Sequence, residues 1–114
     1  MRKIEQQMVA AINKRKRFSS GNTQVEETEN GVIVKLHGNK ICEVGRDTIV
    51  INDGGWESNT TKSRLNVILR DVIGGGWGIY QKNFQWYLAK NGEVDAIWES
   101  GATFDTGGNL LAII

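Results

Sequence analysis

The chain has one histidine, His37, and one cysteine, Cys42. A Gly38-Asn39 pair lies between them, so a hairpin could bring them together. A thiol beside an imidazole is the pairing of a nucleophile with its base. No third group is placed to orient such a pair. Cys42 sits between Ile41 and Val44 and reads as a small buried hydrophobe on a strand. His37, beside a turn, reads as an ordinary, partly exposed side chain. A Cys/His metal centre needs several ligands at set spacings, and the spacing supplies none. Ser19, Ser20, Ser58 and Ser63 have no base but His37 to activate them. The acids Asp53, Glu57, Glu93, Asp95 and Glu99 are scattered at solvent-type positions and do not suggest the paired carboxylates of a hydrolase. The residues therefore predict a non-enzymatic chain with no catalytic site, no metal site and no cofactor.

Three other groups could bind rather than react. The stretch from Gly54 to Ser63 has the outline of a phosphate loop, but Trp56 and Thr61 occupy the two positions where that loop needs glycine. What remains is a helix start with Lys62 and Arg64 in its first turn, where free amides could hold an anion. This makes residues 53–64 a candidate loop for a small anion or other ligand. The consecutive cations Lys14, Arg15, Lys16 and Arg17 could contact phosphates. Together with Lys62 and Arg64 they would form the nucleic-acid contacts of an accessory protein. Six of the nine aromatics fall within residues 77–98. Strand parity places Trp86 with Phe84 and Leu88 toward the core, and leaves Tyr80 and Tyr87 as surface aromatics. With Trp56, these are the candidate anchors for a protein partner.

The elements that must carry these groups follow from periodicity. Ile4, Met8 and Ile12 form one apolar stripe, which predicts a helix over residues 2–18 that Ser19-Ser20-Gly21-Asn22 stops. Residues 23–52 alternate with period two, and Asn30-Gly31, Gly38-Asn39 and Gly45-Arg46-Asp47 mark turns, so a four-strand antiparallel meander is expected. N-cap residue types at 58–61 precede Leu65, Ile68, Leu69 and Val72, which predicts a second helix over residues 61–73 ended by Gly74-Gly75-Gly76. Trp77 with Ile79, then Phe84, Trp86 and Leu88, then Val94, Ala96 and Trp98, each on one side, predict three more strands. The apolar run from Leu110 to Ile114 should dock on the core or on a partner. The expected order is α-β-β-β-β-α-β-β-β: one α+β domain over residues 1–114, with antiparallel sheet packed against two helices.

With 114 residues, composition is that of an ordinary globular chain. No apolar run is long enough to span a bilayer, and Glu5, Gln6 and Gln7 interrupt the N-terminal stretch, so neither membrane insertion nor a secretory signal is expected. A single cysteine is compatible with a reducing cytoplasm. Charge is uneven: Arg2, Lys3 and the cations at 14–17 face only Glu5 in the first eighteen residues, while acids outnumber bases beyond. Such a basic arm on an acidic body could seek an anion or a second copy, so a homo-oligomer is expected.

The run Lys16-Arg17-Phe18-Ser19-Ser20-Gly21-Asn22-Thr23, then Leu36-His37-Gly38-Asn39-Lys40-Ile41, then Gly55 to Asn66 and Trp86-Tyr87-Leu88, resembles small proteins encoded by tailed bacteriophages. The resemblance covers most of the chain and brings no activity and no site residue with it. It implies the cytoplasm of an infected bacterium and a protein that binds a host or phage protein, in host takeover or anti-defence. A weaker topological likeness is to double-stranded-RNA-binding domains. An extra strand before the second helix and further sheet after it depart from that pattern.

Overall fold

The computed structural model describes residues 2–113. Met1 and Ile114, the last residue of the apolar tail, lie outside the described residues.

Helix α1 spans Lys3–Lys14 and buries Met8, Ala11 and Ile12, while Ile4 is only partly covered. It stops earlier than its stripe predicts. Arg15 turns left-handed (φ 55°), and the amides of Arg15 and Lys16 close back on Ile12 and Ala11 at 3.1 and 2.9 Å. This is the usual helix-ending motif with arginine where glycine is common. The Arg15 guanidinium also donates to the Ile12 carbonyl at 2.7 Å, which helps hold the turn. The basic cluster therefore begins in the last turn of α1 with Lys14, and Arg15, Lys16 and Arg17 form the exit from the helix.

Strand β1 follows at once (Phe18–Ser20), where a helix stop was expected. The meander is then as read: β2 (Thr23–Glu27), β3 (Val32–Leu36), β4 (Asn39–Val44) and β5 (Thr48–Ile51), all antiparallel. Val25, Val32, Val34, Leu36, Ile41, Cys42, Val44, Ile49 and Ile51 point into the core. Gly31 is required for a reason other than turn geometry. A Cβ there would lie 1.8 Å from the Val44 carbonyl oxygen, so the two strands can approach only if residue 31 has no side chain.

Helix α2 spans Asn59–Ile68, with the Ser58 hydroxyl accepting the Thr61 amide at 3.1 Å as its N-cap. It continues through one wider π turn over Leu69–Ile73 before Gly74 ends it at φ 77°. Leu65, Val67, Ile68, Leu69 and Ile73 are buried and Val72 is half-buried.

Strands β6 (Trp77–Lys82), β7 (Gln85–Lys90) and β8 (Glu93–Ile97) form a second, three-stranded antiparallel sheet. The chain then returns to the first sheet. Strand β9 (Ala102–Asp105) pairs with β5, and β10 (Leu110–Ala112) pairs with β9. Among the described residues the first sheet has seven strands in the order β1-β2-β3-β4-β5-β9-β10. The apolar tail is thus partly an added strand: Leu110 packs on the core and Leu111 stays exposed.

One continuous core joins both sheets and both helices. Trp77 meets Phe104 edge-on at 5.5 Å and donates its indole N–H to the Gly108 carbonyl at 2.7 Å, tying β6 to β9 and the tail. Trp86 and Trp98 pack at 6.1 Å beneath the second sheet.

Candidate functional site

The second sheet packs one face on the core through Trp77, Ile79, Trp86 and Leu88. Among the described residues no layer covers its other face. Register places Tyr80 opposite Tyr87 and Tyr87 opposite Ile97, giving one apolar row across all three strands. Gly78, Ala89 and Val94 form the row beside it. Tyr80 and Tyr87 stack at 5.4 Å, while Ile97 and Val94 are 58% and 54% exposed. A groove of about 590 Å³ beside Tyr80 is lined by Gly78, Ala89 and Lys82 among others.

Val94 reaches this face because of a bulge. The pairing shifts between Leu88 and Ala89, so Ala96 lies opposite Leu88 and Val94 opposite Ala89, with Asp95 as the extra residue. The expectation that Val94, Ala96 and Trp98 share one side fails for that reason: an inserted residue resets the alternation. Phe84 departs too. It was expected in the core with Trp86 and Leu88, yet it is 93% exposed. Asn83 and Phe84 are the two turn residues between Lys82 and Gln85, both at positive φ (50° and 66°), so strand parity does not extend to Phe84. The hairpins at His37-Gly38 and Asn91-Gly92 have the same two-residue geometry with glycine second. Here a bulky aromatic takes the position glycine prefers, and it stands at the tip of the exposed sheet.

The two outer edges of this sheet differ. On β6 the Asn66 side chain of α2 accepts the Ile79 amide at 2.6 Å and donates to the Ile79 carbonyl at 2.9 Å, taking the place of a neighbouring strand. Among the described residues strand β8 pairs only with β7.

Trp56 lies elsewhere, in the turn before α2. It is 72% exposed and lines a cleft of about 300 Å³. Leu36 and Ile41 give this cleft apolar walls, and His37, Asn39, Asp53 and Thr61 give it polar ones. The Asp53 carboxylate accepts the Gly55 amide at 2.7 Å and the Trp98 indole N–H at 3.1 Å. The Asp53 amide in turn donates to the Ser100 hydroxyl at 2.9 Å, so the loop after β8 holds this turn in place. Gly54 sits at φ 71°, where an added Cβ would come within 3.1 Å of Asn39. Burial alone would raise the pKa of Asp53, but hydrogen bonds from Trp98, Gly55, Ser100 and Glu57 outweigh it and hold the carboxyl below its ordinary value. Burial and the neighbouring Asp53 charge push Glu57 up.

The cations expected to act together are dispersed. Lys14, Arg15, Lys16 and Arg17 are all exposed at the exit of α1. Lys62 reaches Gln81 at 3.4 Å. Arg64 is only 3% exposed and is a structural residue rather than a surface contact. It donates to Glu5 at 2.9 Å, to Thr23 at 3.1 Å and to Asn22 at 3.2 Å, and Ser63 also donates to Glu5 at 2.6 Å. Periodicity missed this network because Glu5 and Arg64 are charged residues at buried positions. In residues 53–64 Lys62 reaches Gln81, Arg64 is buried against Glu5, the Thr61 amide is taken by Ser58, and Asp53 lines the opening. Cys42 is fully buried on β4 while His37 is exposed in the turn, so the pair does not form a nucleophile and base. Among the described residues no helix is long and apolar enough to cross a membrane.

Compared with known protein families, residues 1–105 match the Kyanoviridae Gp96 protein. The chain belongs to this phage family. The match runs through both helices, the whole second sheet and β9, so the uncovered face and the Trp56 cleft both lie inside it. No curated protein and no solved structure matches the chain.

Proposed function

We propose that this phage protein is a non-enzymatic binding protein that acts in the cytoplasm of the infected bacterium and docks a host or phage protein, in host takeover or anti-defence. The docking surface is the outer face of the second sheet. The observation that supports this is the apolar row Tyr80, Tyr87 and Ile97, flanked by Val94 and headed by Phe84, on a face that no element among the described residues covers. Contiguous apolar surface of this kind marks interaction sites, and aromatic side chains anchor them. Charge favours a protein over a nucleic acid at this face. Register places one cation, Lys82, in the rows of this face, and the cluster at 14–17 belongs to the exit of α1.

The test is capture of partners from infected and nuclease-treated lysate by three tagged proteins: wild type, Ile97→Asp, and the double variant Tyr80→Ala, Tyr87→Ala. The expected result is a specific protein that survives nuclease and is lost with both variants. Co-purifying nucleic acid, with binding lost on charge reversal of Lys14, Arg15, Lys16 and Arg17, would replace this reading with the nucleic-acid one. Light scattering of the wild type and of Ile97→Asp tells whether the same face joins two copies.

A further inference from the structure

We propose that the cleft beside Trp56 is a second binding site, independent of the outer face, and that it takes a guanidinium cation on an alkyl stem, as an arginine side chain presents it. Four features carry this. The cleft is concave and about 300 Å³, the lower end of the range for small-ligand sites. Its walls combine apolar Leu36 and Ile41 with a largely exposed indole, which suits an alkyl stem and offers a π face to a cation. The Asp53 carboxylate is fixed in the lining by the Gly55 amide and the Trp98 indole, so an acceptor with remaining lone pairs is already in place. Finally, two cations of the neighbouring segments are paired with carboxylates of their own: Lys40 with Glu43 at 2.9 Å and Arg64 with Glu5 at 2.9 Å.

A planar guanidinium fits this set better than an ammonium. It stacks on an aromatic face while donating in its own plane to a carboxylate, and it is more weakly hydrated. Asn39 adds polar atoms at the same opening. An anion would meet the Asp53 carboxylate in the lining.

The experiment titrates the intact protein with four probes: N-acetyl-arginine amide, agmatine, the neutral isostere N-acetyl-citrulline amide, and inorganic phosphate. Binding is read from the Trp56 indole N–H resonance and by calorimetry. Saturable binding of a guanidinium probe, with the citrulline and phosphate probes silent, is the expected result. Preference for N-acetyl-arginine amide marks a chain-borne arginine as the natural ligand, and preference for agmatine a free amine. Trp56→Ala changes an exposed side chain and should leave the circular dichroism unaltered. Trp56→Ala should weaken binding at least tenfold. Absence of saturable binding by either guanidinium probe, equal binding of the citrulline probe, or undiminished affinity in Trp56→Ala overturns the proposal. Ile97→Asp should leave this binding unchanged, which separates failure here from failure of the outer-face reading.

Discussion

Lys62 and Arg64 stand two residues apart at the start of α2, yet one is a surface side chain and the other is buried. Helical geometry explains the difference, since residues two apart point to different sides of the cylinder. Arg64 faces α1 and β2, where Glu5, Thr23 and Asn22 take its donors. The pair with Glu5 makes stability depend on pH. Burial alone would raise the Glu5 pKa, but the Ser63 hydroxyl and the Arg64 guanidinium outweigh it and bring the carboxyl below its ordinary 4.5. A depressed carboxyl stabilises the fold above its unfolded pKa and loses that contribution as pH falls through the folded value. Urea unfolding should therefore show stability falling as pH drops below 4.5, with a shallower fall in Glu5→Gln. At neutral pH that variant should lose about 3–5 kcal/mol, because it leaves Arg64 charged and buried without its partner. Cys42 is the second residue-scale case. Burial, with Glu43 beside it, pushes its thiol up to about 12. The native protein should resist alkylation by iodoacetamide at pH 8, and the urea-unfolded chain should react fully, as mass spectrometry would show.

At the scale of elements, the hairpin between β6 and β7 is the anomaly. Its turn needs two residues at positive φ and it uses Asn83 and Phe84. An aromatic residue in left-handed backbone costs roughly 1–2 kcal/mol. Such strain persists where function retains it. Phe84→Gly should raise stability by about 1 kcal/mol in urea unfolding, since glycine suits that turn position. The same substitution should weaken partner capture, because it removes the most exposed aromatic at the tip of the docking face. A variant both more stable and equally competent in capture would show that Phe84 has no part in binding. On the other side of the sheet, Asn66 covers the β6 edge by imitating a strand's donor and acceptor, which leaves β8 as the outer edge where neither face is well covered.

For the whole molecule, the two sheets share one core instead of forming separate units. Trp77 bonds to Gly108 and packs on Phe104, and Trp98 bonds to Asp53 across the gap between sheets. Neither sheet can open without exposing part of the other's packing. Thermal or urea unfolding should be a single transition, with indole fluorescence and far-ultraviolet circular dichroism giving coincident curves. Separate midpoints would mean that the second sheet melts on its own. The same linkage bears on the two candidate sites. Trp98 leaves the end of β8 and anchors Asp53, so the docking sheet and the Trp56 cleft are joined through one buried side chain.

The α+β class, both helices, the meander and the second sheet were legible in the sequence, because apolar spacing and paired turn residues act over a few neighbours. So was the division between buried Trp86 and the surface tyrosines, which follows from strand parity. Other features depended on residues far apart in the chain. Pairing of residues 48–51 with 102–105 joins segments separated by a helix and a whole sheet, and no local period encodes it. The demand for glycine at position 31 comes from the carbonyl of Val44 on a neighbouring strand. The bulge at Asp95 moves Val94 to the outer face, and the turn at Phe84 removes that ring from the core. Arg64 could be read as a surface cation until the fold placed Glu5 against it. Local alternation specifies elements; which charges are buried, which strands meet and which apolar face stays open are decided by tertiary packing, because only there do distant side chains compete for the same space.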